Sequence, residues 1–160
     1  MRKDLVAFFS ASGSTSKLAS TLATAANADL YEIRPAVPYE RKDLNWMDKK
    51  ARTTVEMQDP NCRPAMADSD APIAGVDVVF LGFPIWWYRE PSIIDSFLDA
   101  YDFSGKTVIP FFTSGGSQLG EGQERIAVLA KGATVLPGKR FSARASESEL
   151  KNWIKSLPLT

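Results

Sequence analysis

Apolar and polar positions alternate along the chain in blocks that predict strands and helices in turn. Three runs are almost wholly apolar, at residues 5–9, 76–83 and 107–113. Continuous runs of this kind, rich in Val, Ile, Leu and Phe, are typical of strands that are buried on both faces of a parallel sheet. Two shorter strands are predicted at residues 30–34 and 134–136.

Segments in which apolar residues recur with helical spacing separate the predicted strands. They lie at residues 17–26, 43–56, 91–101, 121–131 and 146–157, and the last begins with a capping box formed by Ser146 and Glu149. Residues 58–72 read as a loop. Strands that alternate with helices imply an α/β fold, with a parallel sheet covered on both faces. The length of 160 residues suits one domain, which we predict to span residues 1–160.

The first predicted strand ends in a loop that is rich in hydroxyl groups. Residues 10–17 read Ser-Ala-Ser-Gly-Ser-Thr-Ser-Lys, and a helix-forming segment follows at once. The unpaired N–H groups and the dipole at the start of a helix favour an anion there. Ser10, Ser12, Ser14 and Thr15 add hydroxyl donors, and Gly13 allows the backbone to approach a ligand closely. The loop therefore predicts a phosphate site made of neutral donors.

Other interpretations of this loop are a simple turn or a different nucleotide motif. An ordinary turn with a serine cap remains open, since serine is a common first residue of helices. A P-loop requires Gly-Lys-Ser/Thr before a helix, whereas Gly105-Lys106-Thr107 precedes a strand. A dinucleotide fingerprint requires three spaced glycines after the first strand, and only Gly13 is present.

Three consecutive aromatic residues follow the third predicted strand, in Pro84-Ile85-Trp86-Trp87-Tyr88. Because successive side chains diverge along any backbone, at least one ring must be exposed or line a cleft. Such a ring offers a flat surface on which a planar heterocycle can stack. The alternative is a cap over the core or an interface between subunits.

The fourth predicted strand ends in another polar loop, Thr113-Ser114-Gly115-Gly116-Ser117. Its backbone and hydroxyl groups suit the polar edge of a flat ligand, although a simple strand-to-helix turn is the alternative. In open parallel sheets, ligands bind beyond the carboxyl ends of the strands, where the strand order reverses. The three loops together predict a site for a phosphorylated planar cofactor, and FMN matches best.

Composition and charge exclude several classes of function. The 19 basic and 19 acidic residues leave no net charge, so nothing attracts nucleic acid or an anionic membrane. The absence of histidine removes Ser-His and Cys-His catalysis. The single Cys62 cannot form an internal disulfide, which fits a reducing cytoplasm. The first apolar run is too short for a secretory signal or a membrane span, so we predict a cytoplasmic protein.

The sequence resembles short-chain flavodoxins, in particular a subgroup with two tryptophans after the third strand. The resemblance rests on residues 10–15 (SASGST), 82–87 (GFPIWW) and 103–117, and it extends from about residue 5 to residue 153. It implies a three-layer α/β/α flavodoxin-like fold with a five-stranded parallel sheet in the order 2-1-3-4-5. It also implies FMN as the cofactor.

The resemblance assigns a part of the cofactor to each loop. The FMN phosphate is expected to bind Ser10, Ser12, Gly13, Ser14 and Thr15. The ribityl chain and one face of the isoalloxazine are expected to contact Pro84, Ile85, Trp86 and Trp87. The pyrimidine edge of the ring is expected to contact Thr113, Ser114, Gly115, Gly116 and Ser117.

One departure from the subgroup concerns the aromatic loop. Related chains often carry a glycine after the tryptophan pair, but this chain has Tyr88, and no glycine lies between Pro84 and Pro91. Residues other than glycine are disfavoured at positive φ. We therefore expect this loop to stabilise one-electron-reduced flavin weakly, so that the flavin tends toward two-electron behaviour.

The resemblance implies an FMN-binding electron-transfer protein that exchanges electrons with a redox partner protein or a small-molecule acceptor. The alternative is an FMN-dependent reductase of a small aromatic or quinone-like substrate, with a pocket over the ring formed by Trp86, Trp87, Tyr88 and the loop around Trp46 and Met47. Arg89 either binds an acidic substrate or is simply an exposed charge. We expect a monomer or weak dimer with no nucleic-acid or membrane partner and no metal site.

Overall fold

The computed structural model describes residues 2–159, which form six strands, five α-helices and one 3₁₀ turn. In chain order these are β1 (Asp4–Phe8), α1 (Ser14–Ala26), β2 (Asp29–Glu32), the 3₁₀ turn (Arg41–Leu44), α2 (Arg52–Gln58), β3 (Val78–Pro84), α3 (Ser92–Ala100), β4 (Thr107–Thr113), α4 (Gly122–Leu129), β5 (Thr134–Val135), β6 (Lys139–Arg140) and α5 (Glu147–Ser156).

The strands form one parallel sheet in the order β2-β1-β3-β4-β5, which confirms the predicted fold. The register aligns the carboxyl ends of the three central strands. Phe8 of β1 lies opposite Gly82 of β3, and Pro84 of β3 lies opposite Thr113 of β4. The loops that follow β1, β3 and β4 therefore leave the sheet side by side.

Helices cover both faces of the sheet, because alternate side chains of each strand point in opposite directions. Phe80 of β3 belongs to an apolar cluster with Leu22 of α1 and Trp153 of α5. Its neighbour Leu81 belongs to a second cluster, with Phe97 of α3 and Ile126 of α4. The central strands are apolar at successive positions because alternate side chains of each strand belong to alternate clusters.

The fifth strand is broken into two short pieces. β5 pairs with the first residues of β4, and β6 pairs with residues near its end. Between them lies Pro137, which has no N–H group to donate. The side chain of Gln123 fills the gap, since it donates to the Leu136 carbonyl at 2.9 Å and accepts from the Gly138 N–H at 2.8 Å.

The helix predicted at residues 43–56 is wrong over most of its length. A 3₁₀ turn ends at Leu44, and α2 begins only at Arg52. Between them, Asn45 Oδ1 accepts from the Met47 N–H at 3.1 Å, and Asp48 Oδ1 accepts from the Lys50 N–H at 2.9 Å. Short polar side chains that bond to their own backbone in this way compete with the helix.

Other boundaries shift by a few residues, and one shift matters for the candidate site. α1 begins at Ser14 rather than at residue 17, so Ser14 and Thr15 lie in the first turn of the helix. α5 begins after Ser146, whose hydroxyl accepts from the Glu149 N–H at 3.1 Å. No helix within residues 2–159 is long and apolar enough to cross a membrane.

Gly82 is required by the close pairing of β3 and β4. A Cβ at this position would lie 2.2 Å from Cζ of Phe111. We expect Gly82→Ala to lower the free energy of unfolding by about 1–3 kcal/mol, because extra volume in a packed core forces the ring to move. Urea denaturation of the single variants and of the double variant with Phe111→Leu measures the coupling. An equal loss in both backgrounds would show that the ring is not the cause.

Candidate cofactor site

The loops that follow β1, β3 and β4 meet at the carboxyl edge of the sheet. The hydroxyl groups of Thr15 and Thr113 are 2.9 Å apart and join the first loop to the third. The Ile85 N–H donates to the Thr113 carbonyl at 3.0 Å. A Cβ on Gly120 would lie 3.0 Å from the carbonyl oxygen of Tyr88, so the second and third loops are in close contact.

The first loop leaves the start of α1 open to solvent. Gly13 has φ 96°, and its N–H donates to Ser10 Oγ at 3.1 Å. The Gly13 carbonyl accepts the first helical bond, from the Lys17 N–H at 3.1 Å. Within residues 2–159 no side chain caps this helix, and its first turn contains no acidic residue. The positive end of the helix is therefore free to attract an anion.

The hydroxyl groups of this loop differ in their surroundings. Ser12 and Ser14 are exposed beside the helix start, whereas Ser10 is half-buried and accepts from Gly13. Thr15 is 1% exposed, and its hydroxyl is bonded to that of Thr113. Ser12 and Ser14 are therefore the freest hydroxyl donors, and Thr15 holds two loops together.

The second loop makes a tight turn that the sequence argued against. The Trp86 N–H donates to the Arg89 carbonyl at 3.0 Å, and the Arg89 N–H donates to the Trp86 carbonyl at 3.1 Å. Trp87 and Tyr88 between them have φ of 48° and 65°. Two left-handed residues are what a two-residue turn of this hand requires. This loop thus adopts positive φ without a glycine, so the conformational reason for expecting weak stabilisation of one-electron-reduced flavin does not hold, and the weak stabilisation itself stays a prediction. We call residues 86–89 the aromatic turn.

The three rings of the aromatic turn diverge, as expected from the sequence. The Trp86 ring packs edge-on against Phe9 and Tyr39, with centroid distances of 5.5 and 5.4 Å. Trp87 is half-buried, and Tyr88 is 73% exposed. Trp86 thus anchors the turn, while all three residues line a cavity of about 400 Å³. The other residues that line the cavity are Leu44, Trp46, Thr53, Ile85 and Ser117.

Tyr39 packs against Trp86 and joins it to α2, a role that the sequence did not reveal. The Arg52 guanidinium lies 3.9 Å from the centroid of its ring, and its hydroxyl donates to Glu56 Oε1 at 2.5 Å. Arg52 also bonds to Glu56 at 3.1 Å. Burial and the neighbouring Glu56 carboxylate raise the pKa of Tyr39, so its hydroxyl stays protonated. These contacts hold the segment before α2 against Trp86.

The third loop presents backbone groups at the edge of the cavity. Ser114 Oγ donates to the Ser117 carbonyl at 2.6 Å and accepts from the Gly116 N–H at 3.3 Å. Gly115 and Gly116 are exposed, and Ser117 reaches the cavity. Pro84 is half-buried at the end of β3. All the residues predicted to bind the cofactor therefore lie in or beside three adjoining loops.

Arg89 is the prediction that fails most clearly. It is 3% exposed rather than a surface charge, and it does not line the cavity. Its guanidinium donates to the carbonyls of Glu90 at 3.0 Å and Met57 at 3.2 Å, and to Ser92 Oγ at 3.4 Å. Arg89 therefore fixes the end of the aromatic turn between α2 and α3 and is not available to an acidic substrate.

The chain belongs to the flavodoxin family, whose sequence profile matches residues 3–157. A candidate flavoprotein of Bacteroides eggerthii is 39% identical, with full coverage of both chains and a TM-score of 0.93. One of Bacteroides uniformis is 41% identical, with 97% of this chain and 99% of that chain covered and a TM-score of 0.91. No curated protein sequence matches the chain significantly.

A more distant structure shares the fold. It is a flavoprotein of Lactobacillus acidophilus in complex with FMN, 22% identical over 96% of this chain and 99% of that chain, with a TM-score of 0.72. At this identity the likeness concerns the fold alone. The fold and the family are thus those that the sequence motifs predicted.

Gly13 offers a test of the geometry of the first loop. We expect Gly13→Ala to lower the free energy of unfolding by about 1–2 kcal/mol, because its φ of 96° is unfavourable for a residue with a Cβ. Gly115→Ala is the matched control, since its φ is ordinary and a Cβ there has nothing within 4 Å. It should change stability by no more than about 0.5 kcal/mol. Equal losses in urea denaturation would contradict the left-handed geometry.

Proposed function

We propose that this flavodoxin binds FMN at the carboxyl edge of its sheet and carries electrons between redox partners. The observation that carries the proposal is that an open helix start and an aromatic cavity of about 400 Å³ lie at the same edge of the sheet, in loops joined by the bond between Thr15 and Thr113. This edge lies beside β1 and β3, where the strand order reverses and open parallel sheets bind ligands. Family membership and the FMN complex of the Lactobacillus neighbour support this cofactor.

Each loop suits a different part of FMN. The open start of α1 suits the phosphate, which we assign to Ser10, Ser12, Gly13, Ser14 and Thr15. The apolar wall suits one face of the ring and the ribityl chain, which we assign to Pro84, Ile85, Trp86 and Trp87. The exposed backbone of the third loop suits the pyrimidine edge, which we assign to Thr113, Ser114, Gly115, Gly116 and Ser117.

The lining of the cavity favours a carrier over an enzyme that transfers protons. Among residues 2–159 it consists of apolar and aromatic side chains with the hydroxyl groups of Thr53, Tyr88 and Ser117, and it includes no carboxylate and no cationic side chain. General acid–base chemistry needs a titratable group within hydrogen-bond reach, and in this part of the chain the exposed Tyr88 phenol is the one such group in the lining. The bound flavin supplies the redox chemistry, while the protein binds and orients the ring and limits its contact with water.

A charge placed at the helix start tests the phosphate assignment. We expect Ser14→Asp to weaken FMN binding at least about a hundredfold, because two negative charges a few ångströms apart repel by several kcal/mol at a protein surface. Binding of riboflavin, which lacks the phosphate, should stay unchanged. An acidic residue in the first turn also favours the helix, so misfolding does not explain a loss.

Fluorescence titration of the purified protein with FMN and with riboflavin measures both affinities. Ser20→Asp is the matched control, because Ser20 is exposed further along the same helix. It should bind FMN nearly as the unmodified protein does. Failure of the unmodified protein to bind FMN would overturn the proposal, and unchanged FMN binding by Ser14→Asp would overturn the phosphate assignment.

A second candidate function is FMN-dependent reduction of a small aromatic or quinone-like substrate. The observation that favours it is the extension of the cavity beyond the three loops to Leu44 and Trp46, the latter 71% exposed. A flat substrate there would stack beside the ring. This candidate places Trp46 in the substrate pocket, and Met47, its exposed neighbour, outside the cavity.

Steady-state kinetics separate the two candidates. A reductase should oxidise NAD(P)H rapidly with a quinone and no partner protein, and Trp46→Ala should lower kcat/KM for the quinone without changing FMN affinity. Met47→Ala should leave both unchanged. Slow turnover of all three proteins with small acceptors, together with rapid electron exchange with a partner protein, is the result expected of a carrier.

The cysteine content and the net charge bear on where the protein acts and on the partners that it recognises. A single half-buried cysteine, Cys62, fits a reducing cytoplasm. A net charge of zero gives no long-range attraction to strongly basic or acidic partners, so recognition depends on contacts around the cavity. We assign the chain to one domain that acts as a monomer or weak dimer, without nucleic acid or a membrane.

A further inference from the structure

A cluster of buried charges lies behind the aromatic turn. Glu90, the residue after the turn, and Asp95 of α3 are both 0% exposed, and Arg89 is 3% exposed. Arg125 of α4 reaches both carboxyl groups from the other side. Buried ionised groups are costly unless they are fully paired, so the state of these carboxyl groups matters.

The two carboxyl groups are only half satisfied by their arginine partners. Arg125 donates to Glu90 Oε2 at 3.1 Å and to Asp95 Oδ2 at 2.5 Å. The other two oxygens, Glu90 Oε1 and Asp95 Oδ1, are buried without a hydrogen-bond partner among residues 2–159. The two carboxyl groups also lie within hydrogen-bond reach of each other, beside the Arg125 that they share. One proton bound by the pair removes one buried negative charge and supplies a donor where both groups otherwise only accept.

The charges around the pair come from four segments. Arg89 lies 3.8 Å from Glu90 Oε2 and 3.5 Å from Asp95 Oδ2. Arg63 lies 3.8 Å from Asp95 Oδ2 and pairs more closely with Asp99, at 2.5 Å. Burial in the first place, and then the neighbouring Asp95, raise the pKa of Glu90 to about 9, and the Arg125 charge opposes this only in part.

The cluster is in direct contact with two of the loops of the candidate site. Glu90 continues the chain from the aromatic turn, and the Arg89 guanidinium donates to its carbonyl. A Cβ on Gly122 would lie 2.8 Å from Glu90 Oε1, so the start of α4 packs directly on this carboxyl. The residues that lead into α4 touch the turn again, where Gly120 meets the Tyr88 carbonyl.

We propose that Glu90 and Asp95 share one proton, and that this proton holds the aromatic turn and the third loop in the shape that the flavin ring contacts. Glu90 is thus a positioning residue that acts through Trp87 and Tyr88. Their left-handed conformations persist only while the surroundings hold them, and a second buried negative charge would draw water into that support. The proposal rests on the FMN site proposed above.

The shared proton predicts a pH dependence whose direction is fixed. An unfolded chain loses the Glu90 proton near the ordinary carboxyl pKa, whereas the folded protein keeps it until about pH 9. The folded state therefore binds more protons over this interval, and its stability falls as pH rises through it. Above the interval the carboxyl is ionised in both states, and the aromatic turn loses its support.

Glu90→Gln is the decisive variant, because a glutamine amide copies the protonated carboxyl at every pH. We expect its oxygen to accept from Arg125 and its NH₂ to donate to the Asp95 carboxylate. Riboflavin is the probe, since it reports on the ring contacts without the phosphate. We expect the Kd of the unmodified protein for riboflavin to rise roughly tenfold between about pH 8 and about pH 10, as the protonated fraction falls. The variant should show unchanged affinity at pH 7 and no such rise.

Glu124→Gln is the matched control, because Glu124 is an exposed residue of α4, next to Arg125. It should keep the pH profile of the unmodified protein, and any titration of riboflavin itself is common to all three proteins. Identical profiles for Glu90→Gln and the unmodified protein would overturn the proposal. A tenfold or greater loss of riboflavin affinity in Glu90→Gln at pH 7 would overturn it as well, because it would mean that the ionised pair is required.

Urea denaturation of the flavin-free protein separates this proposal from the FMN proposal. The unmodified protein should lose stability relative to Glu90→Gln as pH rises toward 9, and an infrared band of a protonated carboxyl should be present at neutral pH and absent in the variant. If neither the unmodified protein nor its variants bind flavin, both the FMN site and the positioning role of Glu90 are overturned. The urea denaturation and the infrared band still decide whether Glu90 and Asp95 share a proton. If flavin binds but the stability difference does not depend on pH, only the shared proton falls.

Discussion

The parallel pairing of β1 with β3, and of β3 with β4, is the constraint on which the site depends. Residues far apart in sequence become neighbours only because the three strands end within two residues of the same level of the sheet. The bond between Thr15 and Thr113 is a direct result of this alignment, since it joins loops that are 98 residues apart. Each loop then needs little structure of its own to contribute to a shared surface.

The site divides into a polar end and an apolar end, and each is supported differently. At the polar end the main chain sets the shape of the site, through the left-handed conformation of Gly13 and the exposed N–H groups at the start of α1. At the apolar end the shape depends on side chains behind the surface, where Trp86 rests on Phe9 and Tyr39. Arg89 adds to this support, since it bonds to Met57 and Ser92 at the end of a turn that holds two left-handed residues.

The sequence predicts best those strands that are apolar at successive positions and are therefore buried on both faces of the sheet. The bounds of β4 are as predicted, because its apolar residues fill the cores on both faces. The helix predicted before α2 does not form, because the side chains of Asn45 and Asp48 accept hydrogen bonds from backbone N–H groups two residues later. The spacing of apolar residues gives no information about such bonds. The second piece of the fifth strand was not predicted, because it follows Pro137, and the contact of Gln123 with both sides of this break depends on tertiary structure.

Within the site, the sequence locates the loops but not the state of their side chains. The three motifs predict that the loops adjoin. The burial of Arg89 could not be predicted, because its partners Met57 and Ser92 lie on elements whose packing the sequence does not specify. The left-handed turn at Trp87 and Tyr88 was missed for a related reason, since local preference was overruled by distant contacts.

The broken fifth strand has a consequence for association between molecules. An uninterrupted strand at the edge of a sheet offers a row of free N–H and C=O groups to another chain. Here the edge consists of two pieces of two residues, separated by Pro137 and followed by the exposed charges of Lys139 and Arg140. A foreign strand finds neither a continuous ladder nor a neutral surface on this side. The sheet is thereby protected against growth into fibrous aggregates at its β4 side.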